Sequence, residues 1–303
     1  MGRIEYDEFG LFHENAQEHG LPFPGPPTVR RASVAVAPDR RLSALVWKED
    51  KPELVFLHGG AQNAHTWDTV AMALDRPLVA IDLPGHGHSD GPGNPPGLEA
   101  SAVDVATAVQ RLAPQAEALV GMSLGGLTTI ALMRHAPELV RKVILVDIVP
   151  GISGPRAKHI VDFVSGPPTF ASLDELVEWT ILFNPTRSVS SLRRGILHNA
   201  EQQEDGTWVW RWARHRQEAQ PDRDLGGPEL NERLWGTVAR ATAPVLLARG
   251  MRADSVLGDD DEAELLRRLP SARVVHIADA GHSLQGDTPL ELAAIIEDFV
   301  FGG

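Results

Sequence analysis

From residue 54 onward the chain alternates between short apolar runs and longer amphipathic stretches. The runs at 54–57, 78–81, 118–120, 143–146, 245–247 and 274–277 are continuous and rich in Val, Leu and Ile. A strand with one wet face alternates apolar and polar positions, so an uninterrupted run predicts a strand buried on both faces of a parallel sheet. Between the runs, residues 66–74, 98–112, 124–135, 260–269 and 289–301 carry apolar side chains at helical spacing. Strand–helix alternation at this spacing predicts right-handed βαβ units and an α/β fold with a doubly wound, mostly parallel sheet. Upstream, residues 31–37 alternate, Pro38-Asp39-Arg40 turns, and residues 42–47 return, which predicts a hairpin. Residues 1–27 end in a Pro/Gly-rich stretch and show no periodicity; they are expected to form an arm lying on the surface.

The rhythm breaks once. Nearly a hundred residues separate the run that ends near Asp147 from the one that begins near Pro244, more than a single crossover of a compact domain uses. They include a helical pattern at 173–183 and the strand-like Thr207-Trp208-Val209-Trp210-Arg211-Trp212. An inserted, mainly helical cap subdomain is therefore expected at 152–225, with residues 1–151 and 226–303 forming the α/β core. Four of the seven Trp fall inside the insert. Alternation would put Trp208, Trp210 and Trp212 on one face of an extended segment, either as an aromatic wall of a substrate pocket or as packing within the insert.

Composition narrows the partners. With 28 Lys+Arg against 41 Asp+Glu, the 303-residue chain carries a formal charge of −13, which argues against nucleic acid as a ligand. The absence of Cys excludes a disulfide scaffold, a thiol nucleophile and a Cys-ligated metal. The opening MGRIEYDEFG lacks an apolar signal region, and no stretch approaches the ~20 apolar residues of a membrane span. The expectation is a cytoplasmic protein with no membrane partner.

The chemistry centres on Gly121-Met122-Ser123-Leu124-Gly125, which follows one apolar run and opens a helical stretch. A nucleophile elbow needs such a strand–turn–helix context, with Gly on either side of a Ser held in a sharp turn. The helix that follows directs its N-terminal N–H groups and positive dipole end at the site. A nucleophilic Ser needs a base, and His282 lies in the loop between the last apolar run and the last helix. An orienting carboxylate completes the set: Asp254, after the run 245–247, is the expected partner, with Asp147, which ends Val-Ile-Leu-Val-Asp, as the rival. The N–H groups of Leu124 and of Gly60, in Leu57-His58-Gly59-Gly60-Ala61, are expected to hold the oxyanion. A zinc-like His86-Gly87-His88-Ser89-Asp90 is read as turn chemistry, because Gly91 stands where a further His would be needed, so no metal is expected.

Taken together, LVFLHGG (54–60), DLPGHGHSD (82–90), GMSLGG (121–126), LLARGMRAD (246–254) and GHSLQGD (281–287) resemble the α/β-hydrolase superfamily, in its small capped bacterial branch. The resemblance implies a mostly helical cap after the sixth strand, substrate bound between cap and core, and no metal or organic cofactor. Ser123 stands where haloalkane dehalogenases and epoxide hydrolases carry Asp. Met122 and Ser283 depart from the pattern of carbon–carbon bond hydrolases, and Leu124 from that of proline iminopeptidases. The expected function is a serine hydrolase that cleaves small-molecule carboxylic esters or lactones, with an apolar or aromatic part, through an acyl-enzyme. Two alternatives keep the same pocket: carbon–carbon bond hydrolysis with the same triad, and non-catalytic binding of a small molecule.

Overall fold

The computed structural model of the protein describes residues 4–94, 96–152, 154–215 and 227–302. Its strands are β1 (Val29–Ala37), β2 (Arg40–Trp47), β3 (Leu54–Leu57), β4 (Leu78–Ile81), β5 (Ala118–Met122), β6 (Val143–Val146), β7 (Ala200–Gln202), β8 (Trp208–Trp210), β9 (Val245–Gly250) and β10 (Arg273–Ile277). Eight of them form one sheet in the order β1-β2-β4-β3-β5-β6-β9-β10, and β7 pairs with β8 in a separate hairpin. The β1–β2 and β2–β4 pairs are antiparallel; every neighbour from β4 across to β10 is parallel.

Helices cover both faces of the sheet, as the uninterrupted apolar runs require. Val55, Leu57, Val79, Ile81, Leu119 and Leu145 point to one side, where they pack on α3 (Leu98–Leu112) and α4 (Leu124–His135). Leu54, Phe56, Leu78, Ala80, Val120 and Ile144 point to the other, against the helices Asp68–Leu74 and Pro289–Phe301. Each large apolar side chain fully buried in these layers contributes about 1.5–3 kcal/mol, so the sheet is the stable platform on which the loops are placed.

The arm departs from expectation. Residues Phe12–His19 form a helix, α1, ended by Gly20 in the left-handed conformation (φ 66°). Phe12 and Ala16, one turn apart, are buried, and the Phe12 ring lies edge-on to Trp47 with centroids 5.2 Å apart. Two apolar residues are too few to stand out against the Pro/Gly content of the surrounding stretch.

Between β6 and β9 lie α5 (Gly154–Val164), α6 (Leu173–Phe183), α7 (Val189–Asn199), the β7–β8 hairpin and a short 3-10 helix, Trp212–His215. Ser172 and Ser188 cap α6 and α7, accepting from the N–H groups of Glu175 and Ser191. Phe170, Leu176, Ile196, Trp208, Trp210 and Trp212 form a hydrophobic cluster that is separate from the two sheet layers. The strand ends at Trp210, so the expected extended face of three indoles is corrected: Trp212 already belongs to the 3-10 turn and stacks on Trp210. The expected boundary at 225/226 lies outside the described residues. The next helix, Pro228–Val238, lies against α4 and adds Leu234, Trp235 and Val238 to the core on that side of the sheet.

Candidate active site

Ser123 sits between the last residue of β5 and the first of α4, at φ 51° and ψ −118°. A β-carbon-bearing residue rarely adopts this backbone, which costs of order 1–3 kcal/mol and is held by its surroundings. The glycines supply the room. A Cβ on Gly121 would lie 2.5 Å from the Gly125 carbonyl oxygen, and one on Gly125 would lie 2.2 Å from that of Leu57. One on Gly59 would meet Met122 Sδ at 2.4 Å and Ser123 Cβ at 3.3 Å, so the bare backbone of the β3 loop lies directly against the side chains of the elbow.

His282 occupies the loop after β10, and its Nδ1–H donates to Asp147 Oδ2 at 2.9 Å. Asp147 follows β6 directly, is fully buried, and accepts three further bonds: from Gly250 N–H (3.0 Å), Ser255 Oγ–H (2.7 Å) and Val256 N–H (3.2 Å). Every neighbour donates, so the carboxylate faces only partners that it satisfies, and Nδ1 of His282 carries the proton. The imidazole Nε2 is then the acceptor nitrogen. It is buried without a hydrogen-bond partner, and both His282 and Ser123 line the same cavity.

The expected partner of His282, Asp254, is therefore corrected. Its side chain is 47% exposed and is held in a fork by Arg252 Nε (3.2 Å) and Nη2 (2.9 Å), two residues earlier in the chain. The loop after β9 brings donors to the buried carboxylate instead of bringing a carboxylate to the histidine. Ser255 and Val256 were not legible as site residues, because they act only through Asp147.

The loop after β3 is fixed by two imidazoles, those of His58 and His86. Burial, reinforced by the nearby His86, lowers the pKa of His58 to about 3. Its Nδ1–H donates to the Gly59 carbonyl (2.7 Å) while Nε2 accepts Leu83 N–H (2.9 Å). His86 Nε2 accepts Ala61 N–H at 3.2 Å, and Gly59 N–H donates to Gln62 Oε1 at 3.1 Å. Gly60 lies between these two engaged amides and lines the cavity. At the other wall, Leu124 opens α4, whose first-turn N–H groups have no intrahelical acceptor. The insert reaches the same loop: Asn199, at the end of α7, donates its amide to the Ala61 carbonyl at 2.6 Å.

The cavity holds about 210 Å³ and is lined from the insert by His159, Phe163, Phe183, Arg187 and Trp210, among others. Of the three expected tryptophans only Trp210 lines it; Trp208 and Trp212 are buried in the insert cluster. His86, His88 and Asp90 do not converge. His86 binds Ala61, the backbone of His88 donates to Asp82, and Asp90 accepts Arg41 N–H.

Among the described residues, one group has ligand atoms close enough to hold a metal ion: His65, Asp68 and His198, within 4.8 Å of one another. Here they form an ion-pair network. His65 Nδ1 bonds Asp68 Oδ2 at 2.9 Å, His65 Nε2 bonds Glu8 Oε1 at 3.1 Å, and the His198 ring stacks on that of His65 at 3.8 Å. Burial alone would lower the His65 pKa, but the carboxylates of Asp68 and Glu8 outweigh it and raise the value to about 9. The folded state thus binds this proton more tightly than the unfolded chain, whose ordinary value is 6.5. The resulting stability is complete below that value and is lost as pH rises through about 9. Urea unfolding of the wild type is expected to weaken by roughly 1–3 kcal/mol over that window, and His65→Gln to flatten the slope. A slope unchanged in His65→Gln would assign it to another group.

The sequence profile of the alpha/beta hydrolase family matches residues 54–295. The esterase Rv0045c of Mycobacterium tuberculosis is 41% identical over 301 residues, covering 96% of this chain and 94% of that protein. A structure of that esterase, from work on its transition-metal inhibition, superposes with a TM-score of 0.82 at 38% identity, over 98% of this chain and 99% of the other. The sn-1-specific diacylglycerol lipase ABHD11 of Xenopus laevis is 28% identical over 82% of this chain and 80% of that protein. A mostly parallel sheet, a serine elbow between strand and helix, and these matches agree: the chain belongs to the alpha/beta hydrolase family.

Proposed function

We propose that the protein is a serine esterase that cleaves small-molecule carboxylic esters, lactones included, through an acyl-enzyme. Ser123 Oγ attacks the substrate carbonyl carbon while His282 Nε2 takes the hydroxyl proton. Asp147 keeps the proton of the imidazole on Nδ1 and stabilises the imidazolium that forms. The N–H groups of Gly60 and Leu124 receive the oxyanion, each such donor contributing about 3 kcal/mol to the transition state. Collapse of the tetrahedral intermediate expels the alcohol, which takes its proton from His282. Water, deprotonated by the same imidazole, then releases the acid and frees Ser123.

The observation that carries this reading is the buried His282, bonded to Asp147 through one nitrogen and presenting the other, partnerless, in the cavity that Ser123 lines. The 41% identity to an esterase over nearly the whole chain supports the choice of bond. Residues 152–225 are read as the cap and 1–151 with 226–303 as the core, since side chains from both line the cavity. Phe163, Phe183, Leu192 and Trp210 offer the apolar or aromatic part of the substrate a surface.

Fluorophosphonate labelling followed by peptide mass spectrometry is expected to find the adduct on Ser123. A panel of esters, lactones and amides is expected to show ester turnover well above amide turnover. An unlabelled protein that binds esters without cleaving them would overturn the proposal.

A further inference from the structure

Arg187, just before α7, lines the cavity with Ser123 and His282. Its Nη2 donates to the neutral Ser191 Oγ at 2.6 Å, while its Nε is buried without a partner. No carboxylate among the described residues lies within ion-pair distance. The two acidic groups that influence it most, Asp287 and Glu18, are engaged elsewhere: Asp287 accepts Gly281 N–H at 2.9 Å, and Glu18 binds Arg194 and Ser188. Arg194, by contrast, reaches Asn15 (2.8 Å), Ser190 (2.8 Å) and Glu14 (3.4 Å) as well.

The position of the guanidinium is built. Gly286, four residues after His282, leaves the space it occupies: a Cβ there would lie 2.8 Å from Arg187 Nη1. Burial pulls the Arg187 pKa down, yet a guanidinium stays charged in proteins. A buried cation with unmatched donors is costly unless something supplies the acceptor. The chain carries a net charge of −13, and Asp68, already bonded to His65, is the sole acidic residue among the described cavity lining.

We propose that Arg187 is the anion-recognition residue of the substrate pocket, and that the ester cleaved at Ser123 carries a carboxylate remote from the scissile bond. This rests on the esterase reading above and names its substrate class. A planar fork with spare donors suits the two oxygens of a carboxylate, and the other cations of the lining are already matched, Arg194 by Glu14 and Glu18 and His65 by Asp68 and Glu8.

The test compares monomethyl adipate with methyl 5-carbamoylpentanoate, its neutral amide counterpart, on the full-length protein by pH-stat. The wild type is expected to favour the acid about tenfold or more in kcat/KM, as a charge-assisted hydrogen bond would provide. Arg187→Met is expected to bring the ratio near one, and Arg187→Lys, which keeps the charge but loses the fork, to retain part of it. Thermal melting and fluorophosphonate labelling report whether each variant is folded. A wild-type ratio at or below one overturns the proposal without any variant, and so does a ratio that survives in folded Arg187→Met. If neither ester is cleaved while Ser123 is still labelled, the carboxylate-ester class is wrong and the serine hydrolase reading stands. If there is neither cleavage nor labelling, both fail.

Discussion

Exchanging Asp147 for Asn is expected to lower kcat on a chromogenic ester about 10⁴-fold, with little change in KM. The four groups around the carboxylate all donate, so an amide NH₂ in place of either oxygen must face at least one of them. At the Oδ2 position it would meet Val256 N–H and force His282 to accept at Nδ1, which puts the imidazole proton on Nε2. A protonated Nε2 cannot take the hydroxyl proton of Ser123. The backbone is no obstacle, since Asp147 has φ 47°, a region that Asn tolerates. Loss of one or two buried bonds is expected to lower stability by about 1–3 kcal/mol. Asp254→Asn, at an exposed fork with Arg252, is expected to leave kcat within about threefold, because exposed ion pairs contribute little. Reversal of these two results, read as kcat of folded, purified variants, would return the acid role to Asp254.

Ser123→Ala is expected to reduce kcat by about 10⁶-fold, to the level that binding and the oxyanion donors supply without a nucleophile. The substitution keeps the Cβ at φ 51°, so the backbone strain is unchanged and the thermal midpoint should stay close to that of the wild type. A folded variant retaining activity within about tenfold would remove the hydroxyl from the mechanism.

The inner strands were legible because burial on both faces leaves them apolar, and β3, β4 and β6 fall on the expected runs without a shift; the run at 274–277 is corrected, because β10 is an edge strand with Arg273 and His276 exposed. The elbow was legible because two backbones approach so closely that only glycine fits on either side of Ser123. The choice between Asp147 and Asp254 was not. Both follow the carboxyl end of a neighbouring strand, and what decides between them is the turn that folds residues 250–256 back over β6 while Arg252 draws Asp254 outward. Helix α7 was missed for a related reason. Its buried residues include Arg194, His198 and Asn199, polar groups whose partners lie in α1, Tyr6 and the Ala61 loop, far away in the chain. A hydrophobic pattern carries no trace of burial by hydrogen bonding.

The bond from Asn199 to the Ala61 carbonyl ties the insert mechanically to the loop after β3. The peptide of Ala61 is gripped on both sides, its N–H by His86 and its carbonyl by the insert, and Gly60 is its immediate neighbour. Under the proposed function, any displacement of α7 would release one of those grips and loosen the loop that carries the Gly60 amide.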